Sequence, residues 1–288
     1  MRRLDLRGTW RLRELGYEES IPAQVPGDNH SALLEAGKIP DPYWGDNELA
    51  VQWVGRRSWE YSRKFTMDEE MLGESSVFLN CDQLDTVADI YINDHHVAST
   101  DNMFRRYRFE VKEYCRLGEN EIRIVFHSAV ETAAARSQEL PYEIPHSQYP
   151  IQSPHVNLVR KVACHGGWDW GCCLMVSGIY GDIYIGATSL GRIEYVYTTQ
   201  THTDGCCKVE VTAEIMSPNG GETELEVTLG DLKQRKPVLL TPGHNTVSTE
   251  VVVDNPKLWW PNGHGQQPLY DLIVAAAGDQ VKKRLGLR

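Results

Sequence analysis

The stretch WEYSRKFTM, Trp59 to Met67, sets Trp59, Tyr61, Arg63 and Phe65 on alternate positions. A period of two residues is the signature of a β-strand, whose side chains point by turns to opposite faces. The same rhythm recurs on either side. SSVFLNC (Ser75–Cys81), VADIYIN (Val87–Asn93), RYRFEVK (Arg106–Lys112) and ENEIRIVFHS (Glu119–Ser128) all alternate and are rich in β-branched or aromatic residues. NDHH, Asn93 to His96, fits a hairpin turn, and LGEN, Leu117 to Asn120, fits another. One short helix is expected over Asn29–Gly37, with Asn29 as N-cap, Leu33 and Leu34 as its apolar contacts and Gly37 as its stop.

From Ser128 to Gly167 the alternation is lost, and Pro141, Pro145, Pro150 and Pro154 interrupt the chain. A long stretch without regular pattern inside a compact domain marks a functional loop. It ends in CHGGWDWGCC, Cys164 to Cys173, after which CLMVSGIYGDIYIGA reads as one or two strands that close a first domain. From about Thr188 a second set of short strands begins: RIEYVYTTQ, CKVEVTAEIM, TELEVTLG, NTVSTEVVV and LYDLIVAAA, with SPNGGE and TPGHN as turns. This spacing predicts an immunoglobulin-like sandwich. The expected division is residues 1–187 and 188–288, marked by a change of strand rhythm and no flexible linker.

The totals narrow the function. A chain of 288 residues suffices for two domains, and 41% apolar with 24% charged residues is ordinary for a globular protein. No apolar run approaches the roughly 20 residues of a membrane span, and the basic N-terminus lacks the apolar core of a signal peptide. The net charge of −11, without a cluster of Lys and Arg, argues against nucleic acid as a partner. Seven cysteines without an export signal predict reduced thiols and a cytoplasmic protein, one member of each adjacent pair, Cys172–Cys173 and Cys206–Cys207, being buried.

Within CHGGWDWGCC a carboxylate stands between two indoles. A sugar presents apolar C–H faces, which suit an indole, and hydroxyl edges, from which a carboxylate accepts paired hydrogen bonds. Trp168, Asp169 and Trp170 therefore form a candidate sugar-binding set, with Gly166 and Gly167 letting the backbone turn tightly beneath them. Plainer roles stand beside this one: a jelly-roll core position for Trp170, a turn or cap for Asp169. Tyr43, Trp44, Trp53 and Trp59 read most simply as core or interface aromatics, and Trp259 and Trp260 as sandwich packing. Cys164, His165, Cys172 and Cys173 lack the usual zinc spacing, so no metal is expected. His165 beside Cys164 does not make a nucleophile–base pair.

Four stretches carry a resemblance: VPGDNHSALLEAGKIPDPYWGDNE (Val25–Glu48), WVGRRSWEYSRKF (Trp53–Phe65), RKVACHGGWDWG (Arg160–Gly171) followed by SGIYGDIYI, and LWWPNGHGQQPLYDL (Leu258–Leu272). In order and spacing the chain resembles the N-terminal part of the β-mannosidase branch of glycoside hydrolase family 2. The resemblance implies an all-β chain, a jelly-roll (galactose-binding-like) β-sandwich followed by an immunoglobulin-like β-sandwich. It implies a retaining exo-β-mannosidase acting on β-mannoside oligosaccharides without a cofactor. Its two catalytic glutamates lie on a (β/α)8 barrel beyond this sequence, so no catalytic residue is expected within it. Asp169, with Trp168 and Trp170, then positions the mannosyl unit, and Arg160 and Lys161 brace the loop by pairing with carboxylates. The family commonly has proline where Cys172 stands, a departure that makes the loop exit less rigid. A stand-alone carbohydrate-binding module is the alternative.

Overall fold

A computed structural model describes residues 1–145 and 153–288. The chain divides into two compact units: Arg3–Leu72 with Val77–Gly186, and Ala187–Arg288 with Met1–Arg2 and Gly73–Ser76. Among the described residues no helix is long and apolar enough to cross a membrane.

The first unit is a sandwich of two antiparallel sheets. One has six strands, in the order Ser20–Val25, Gly8–Glu14, Trp59–Met67, Gly118–Phe126, Ala88–Ile92 and His95–Thr100. The other runs Arg2–Asp5, Gly178–Thr188, Ser76–Asp85 and Tyr107–Glu110, with the short strand Gly27–Asp28 paired to Gly178–Ile179. The strand Trp59–Met67 occupies the stretch that its alternation predicts, and Trp59, Tyr61, Phe65 and Met67 point into the core. Tyr61 meets Phe126 edge-on at 5.6 Å. Burying side chains of this size contributes about 1.5–3 kcal/mol each. Arg63 shares the inward-facing parity and donates to the backbone carbonyls of Leu6 and Arg7, at 2.8 and 2.5 Å.

Asn93 and Asp94 both take positive φ, 49° and 66°, in the tight hairpin expected between the strands Ala88–Ile92 and His95–Thr100. The first helix, Asn29–Glu35, starts one residue earlier than expected. Asp28, not Asn29, is its cap, with Oδ1 accepting from the Ser31 amide at 2.9 Å. Leu33 is buried, while Leu34 faces solvent.

The stretch Ser128–Gly167 is more regular than its sequence suggested. A ten-residue helix covers Ala129–Gln138, and single 3-10 turns cover Val156–Leu158 and Ala163–His165. The helix signal is local: Ser128 caps it, its Oγ accepting from the Glu131 amide at 3.2 Å, in a Ser-x-x-Glu capping pattern. Pro150, read above as an interruption, lies outside the described residues.

The second unit is a sandwich of three strands, Arg192–Thr203, Cys206–Ser217 and Gly243–Asp254, and four strands, Leu232–Leu240, Gly221–Leu229, Tyr270–Ala276 and Asp279–Leu285. Its core is built by alternation: Cys207, Val209, Val211, Ala213 and Ile215 are buried in a row, facing Leu225, Val227, Leu272 and Val274. The three-plus-four arrangement is that of an immunoglobulin-like domain. Two edge strands escape a reading by pattern. Leu232–Leu240 is mostly exposed and carries Pro237, which an edge strand tolerates, and Asp279–Leu285 is short and charged. All seven cysteines are free thiols, with Cys173 and Cys207 the buried members of their pairs.

Candidate functional site

Within CHGGWDWGCC, residues 166–173 form a short β-hairpin. Strands Gly166–Trp168 and Gly171–Cys173 pair Gly166 with Cys173 and Trp168 with Gly171, which leaves Asp169 and Trp170 alone at the tip. Both glycines at the base are required, for different reasons. A Cβ on Gly166 would come within 2.9 Å of the Val156 side chain, and Gly167 takes φ +99°, which disfavours any other residue.

The tip faces solvent. Trp170 is 72% exposed and Trp168 41%, their rings 6.3 Å apart and tilted by 46°. Trp170 is thus not a core residue, and one of the two readings of it falls away. Asp169 is exposed, and its carboxylate makes no ion pair among the described residues. A two-residue tip cannot bury bulky side chains against its own strands, so Asp169 and Trp170 stay exposed to solvent.

The base, in contrast, is firmly held. Glu48 accepts from the Cys173 amide through Oε1 at 2.5 Å, and Gln52 Nε2 donates to the Cys173 carbonyl at 2.7 Å. The Ser153 amide donates to the Gly166 carbonyl at 2.9 Å. Beneath this lies a buried charge cluster. Lys161 Nζ sits 3.1 Å from Asp85 Oδ2, and both side chains are 0% exposed. The same Nζ lies 2.6 Å from His165 Nδ1, which is itself 3.4 Å from Asp85 Oδ2, and His165 lies one residue before the hairpin begins. Thr86 Oγ1 donates to the other oxygen of Asp85. Burial would raise the Asp85 carboxyl, but hydrogen bonding from His165 and the charge of Lys161 outweigh it and hold the group below the usual range. Lys161 thus pairs with a carboxylate. Arg160 is exposed; it joins the fold through its backbone, where its carbonyl accepts from the Met103 amide at 3.0 Å.

Sequence reasoning placed Tyr43 and Trp44 in a core or an interface. In the structure each is 77% exposed, in a turn closed by the Trp44 amide on the Asp41 carbonyl at 3.2 Å. That turn leads into the helix Asn47–Ala50, which supplies Glu48 to the hairpin base. Trp59 is buried and Trp53 is partly exposed, in ring contact with it. Trp260 is about half exposed, so it is not a packed sandwich residue. Neither Glu48 nor Asp85 was legible as a support, since each meets its partner from more than 70 positions away.

A second cluster of acids lines a groove of about 400 Å³ on the outer face of the six-stranded sheet. Its buried member, Glu60, accepts from Arg13 at 2.7 Å and from Arg123 at 3.1 Å, and Arg123 also donates to Asp94 at 2.8 Å. Burial pushes Glu60 up, and the two guanidinium groups more than reverse this, so the carboxyl is lowered. A carboxylate so neutralised is a poor general acid, a role that needs a raised pKa.

Comparison with known proteins agrees with this architecture. Residues 10–181 match the family model described as glycosyl hydrolase 2 galactose-binding domain-like, and residues 191–288 match that of glycosyl hydrolases family 2. The chain is 33% identical to the β-mannosidase of Capra hircus over 94% of its own length, and 31% identical to β-mannosidase B of Emericella nidulans over 97%. It spans only 32% and 34% of those two proteins. Among solved structures, β-D-mannosidase from Dictyoglomus thermophilum superposes with a TM-score of 0.92 at 31% identity, covering 100% of this chain and 36% of that one. An exo-chitosanase from Amycolatopsis orientalis shares the fold, with a TM-score of 0.73 at 17% identity over 100% of this chain and 34% of that chain.

Proposed function

This chain belongs to glycosyl hydrolases family 2, and from that premise we propose that it is the sugar-positioning part of a retaining exo-β-mannosidase. The exposed tip of the hairpin, Asp169 between two indoles on a rigidly held base, is the observation that carries the reading. In this proposal Asp169 accepts hydrogen bonds from hydroxyls of the terminal, non-reducing β-mannosyl unit. Trp168 and Trp170 cover the apolar face of the ring. The likeness to β-mannosidases of animal, fungal and bacterial origin supports mannose as the sugar.

Retaining hydrolysis needs two carboxyl groups about 5–5.5 Å apart, one as nucleophile and one as acid and then base. In this proposal a separate barrel domain provides both, and the chain contributes binding that strengthens as the ring approaches its transition state. No cofactor takes part. We also assign the protein to a reducing compartment, a reading supported by its seven free thiols.

Titration of the isolated chain with mannose and mannobiose tests the division of labour. Half of a shared pocket should bind no more tightly than about 1 mM, near −4 kcal/mol. Micromolar binding would instead establish an autonomous carbohydrate-binding module. Hydrolysis of an aryl β-mannoside by the pure chain would refute the proposal outright.

A further inference from the structure

The base of the hairpin covers a small cavity of about 20 Å³, lined by His30, Gln52, Gly55, Ser153, Cys173 and Met175 among others. About 10–15 Å³ suffices for one water molecule, provided that it finds two to four polar partners. The lining offers such partners, and they are unusual in being unused. Ser153 is 5% exposed, and its hydroxyl has no hydrogen-bond partner among the described residues.

His30 supplies a second group. Asn29 Oδ1 accepts from the Ser177 amide at 3.0 Å, which identifies that atom as oxygen, so His30 Nδ1, also 3.0 Å away, must be the donor to it. Burial drives the His30 pKa down to about 4, so the ring is neutral at pH 7. A neutral ring with its proton on Nδ1 carries a lone pair on Nε2. Nε2 makes no hydrogen bond among the described residues. Gln52 gives its amide nitrogen to the Glu48 and Cys173 carbonyls, which leaves its amide oxygen as a further acceptor. The Ser153 hydroxyl is the buried group of this lining left without a partner, and a dry space around it would be costly.

We propose that a single buried water molecule occupies this cavity, donating to His30 Nε2 and to Gln52 and accepting from the Ser153 hydroxyl. The water joins the helix Asn29–Glu35 to the hairpin that carries Asp169. Ser153 is the link, because its amide already holds the Gly166 carbonyl. Ser153 and His30 are then positioning residues for the hairpin. The site rests on cavity geometry and hydrogen-bond valence, and it holds whether or not the hairpin binds a sugar.

A crystal structure of this chain at a resolution of about 1.8 Å or better tests the site. One peak is expected at hydrogen-bond distance, about 2.6–3.2 Å, from both Ser153 Oγ and His30 Nε2. An empty cavity, or one filled by a protein side chain, overturns the proposal. In solution, Ser153→Ala removes one partner of the water. Hydrogen exchange of the backbone amide at position 153 should then quicken about three- to tenfold, the effect of losing one ordinary hydrogen bond. Unchanged exchange would show that no bridging water holds this segment.

Discussion

Replacing Lys161 by methionine removes a buried cation while keeping the length and apolar stem of the side chain. Asp85 stays behind at 0% exposure, its charge met only by Thr86 and by His165, which lies 3.4 Å from it. Removing one partner of a buried ion pair costs about 3–5 kcal/mol, because the remaining charge is desolvated without compensation. For a chain of this size that corresponds to a fall in Tm of roughly 6–20 °C. The sign with pH is fixed by the same physics. In the native protein the Asp85 pKa is depressed, so its stabilisation is present above the unfolded value of 3.8 and is lost as pH falls through the folded one. In Lys161→Met the opposing charge is gone while burial remains, so the Asp85 pKa rises and the carboxyl takes up a proton at higher pH. The gap between variant and parent should therefore narrow from pH 7 towards pH 4. Urea denaturation followed by tryptophan fluorescence across that range measures it. The double variant Lys161→Met with Asp85→Leu should recover part of the loss. A deficit below about 1 kcal/mol, or one equal at every pH, or a double variant as unstable as the sum of the singles, would refute the account of this cluster.

Other substitutions probe separate links. In a full-length enzyme, Asp169→Ala should lower kcat/KM by about 2–5 kcal/mol of transition-state binding, with Tm almost unmoved because the side chain is exposed; steady-state kinetics on an aryl β-mannoside reads this. Ser128→Ala removes the cap of the helix Ala129–Gln138 and a 2.8 Å hydrogen bond to the Gly55 carbonyl, and should cost about 1–2 kcal/mol in chemical denaturation. His30 is held near pKa 4 by burial, below its ordinary 6.5, so stability should fall as pH drops from 6.5 to 4, by up to about 3 kcal/mol. In His30→Gln that part of the pH profile should flatten.

Much of the strand framework is legible because burial on one face forces a period of two. Trp59–Met67 and Cys206–Ser217 show this clearly, with inward residues buried and their neighbours turned to the other face or to solvent. The pattern weakens where a strand lies at an edge and has little to bury, as in Leu232–Leu240 and Asp279–Leu285. Ser128 and Glu131 announce the start of the helix Ala129–Gln138, but the prolines that follow it break the pattern of the stretch as a whole. For two exposed aromatics the core half of the expectation fails. Trp44 and Tyr43 have the composition of core residues, yet a tight turn holds both in solvent.

Of the hairpin, the residue types were enough to single out Trp168-Asp169-Trp170, since the match between indole, carboxylate and sugar is a property of side chains and needs no coordinates. Local chemistry of this kind, like alternation and capping, acts over a few positions and is written directly in the order of residues. What holds the hairpin is of another kind. Asp85 and Lys161 stand 76 positions apart, and Glu48 and Cys173 stand 125 apart. Their pairing depends on which strands become neighbours, which the whole chain settles when it buries its apolar faces together. Only the folded structure could show that a solvent-facing tip rests on a buried ion pair, and that the space beneath it has room for a water.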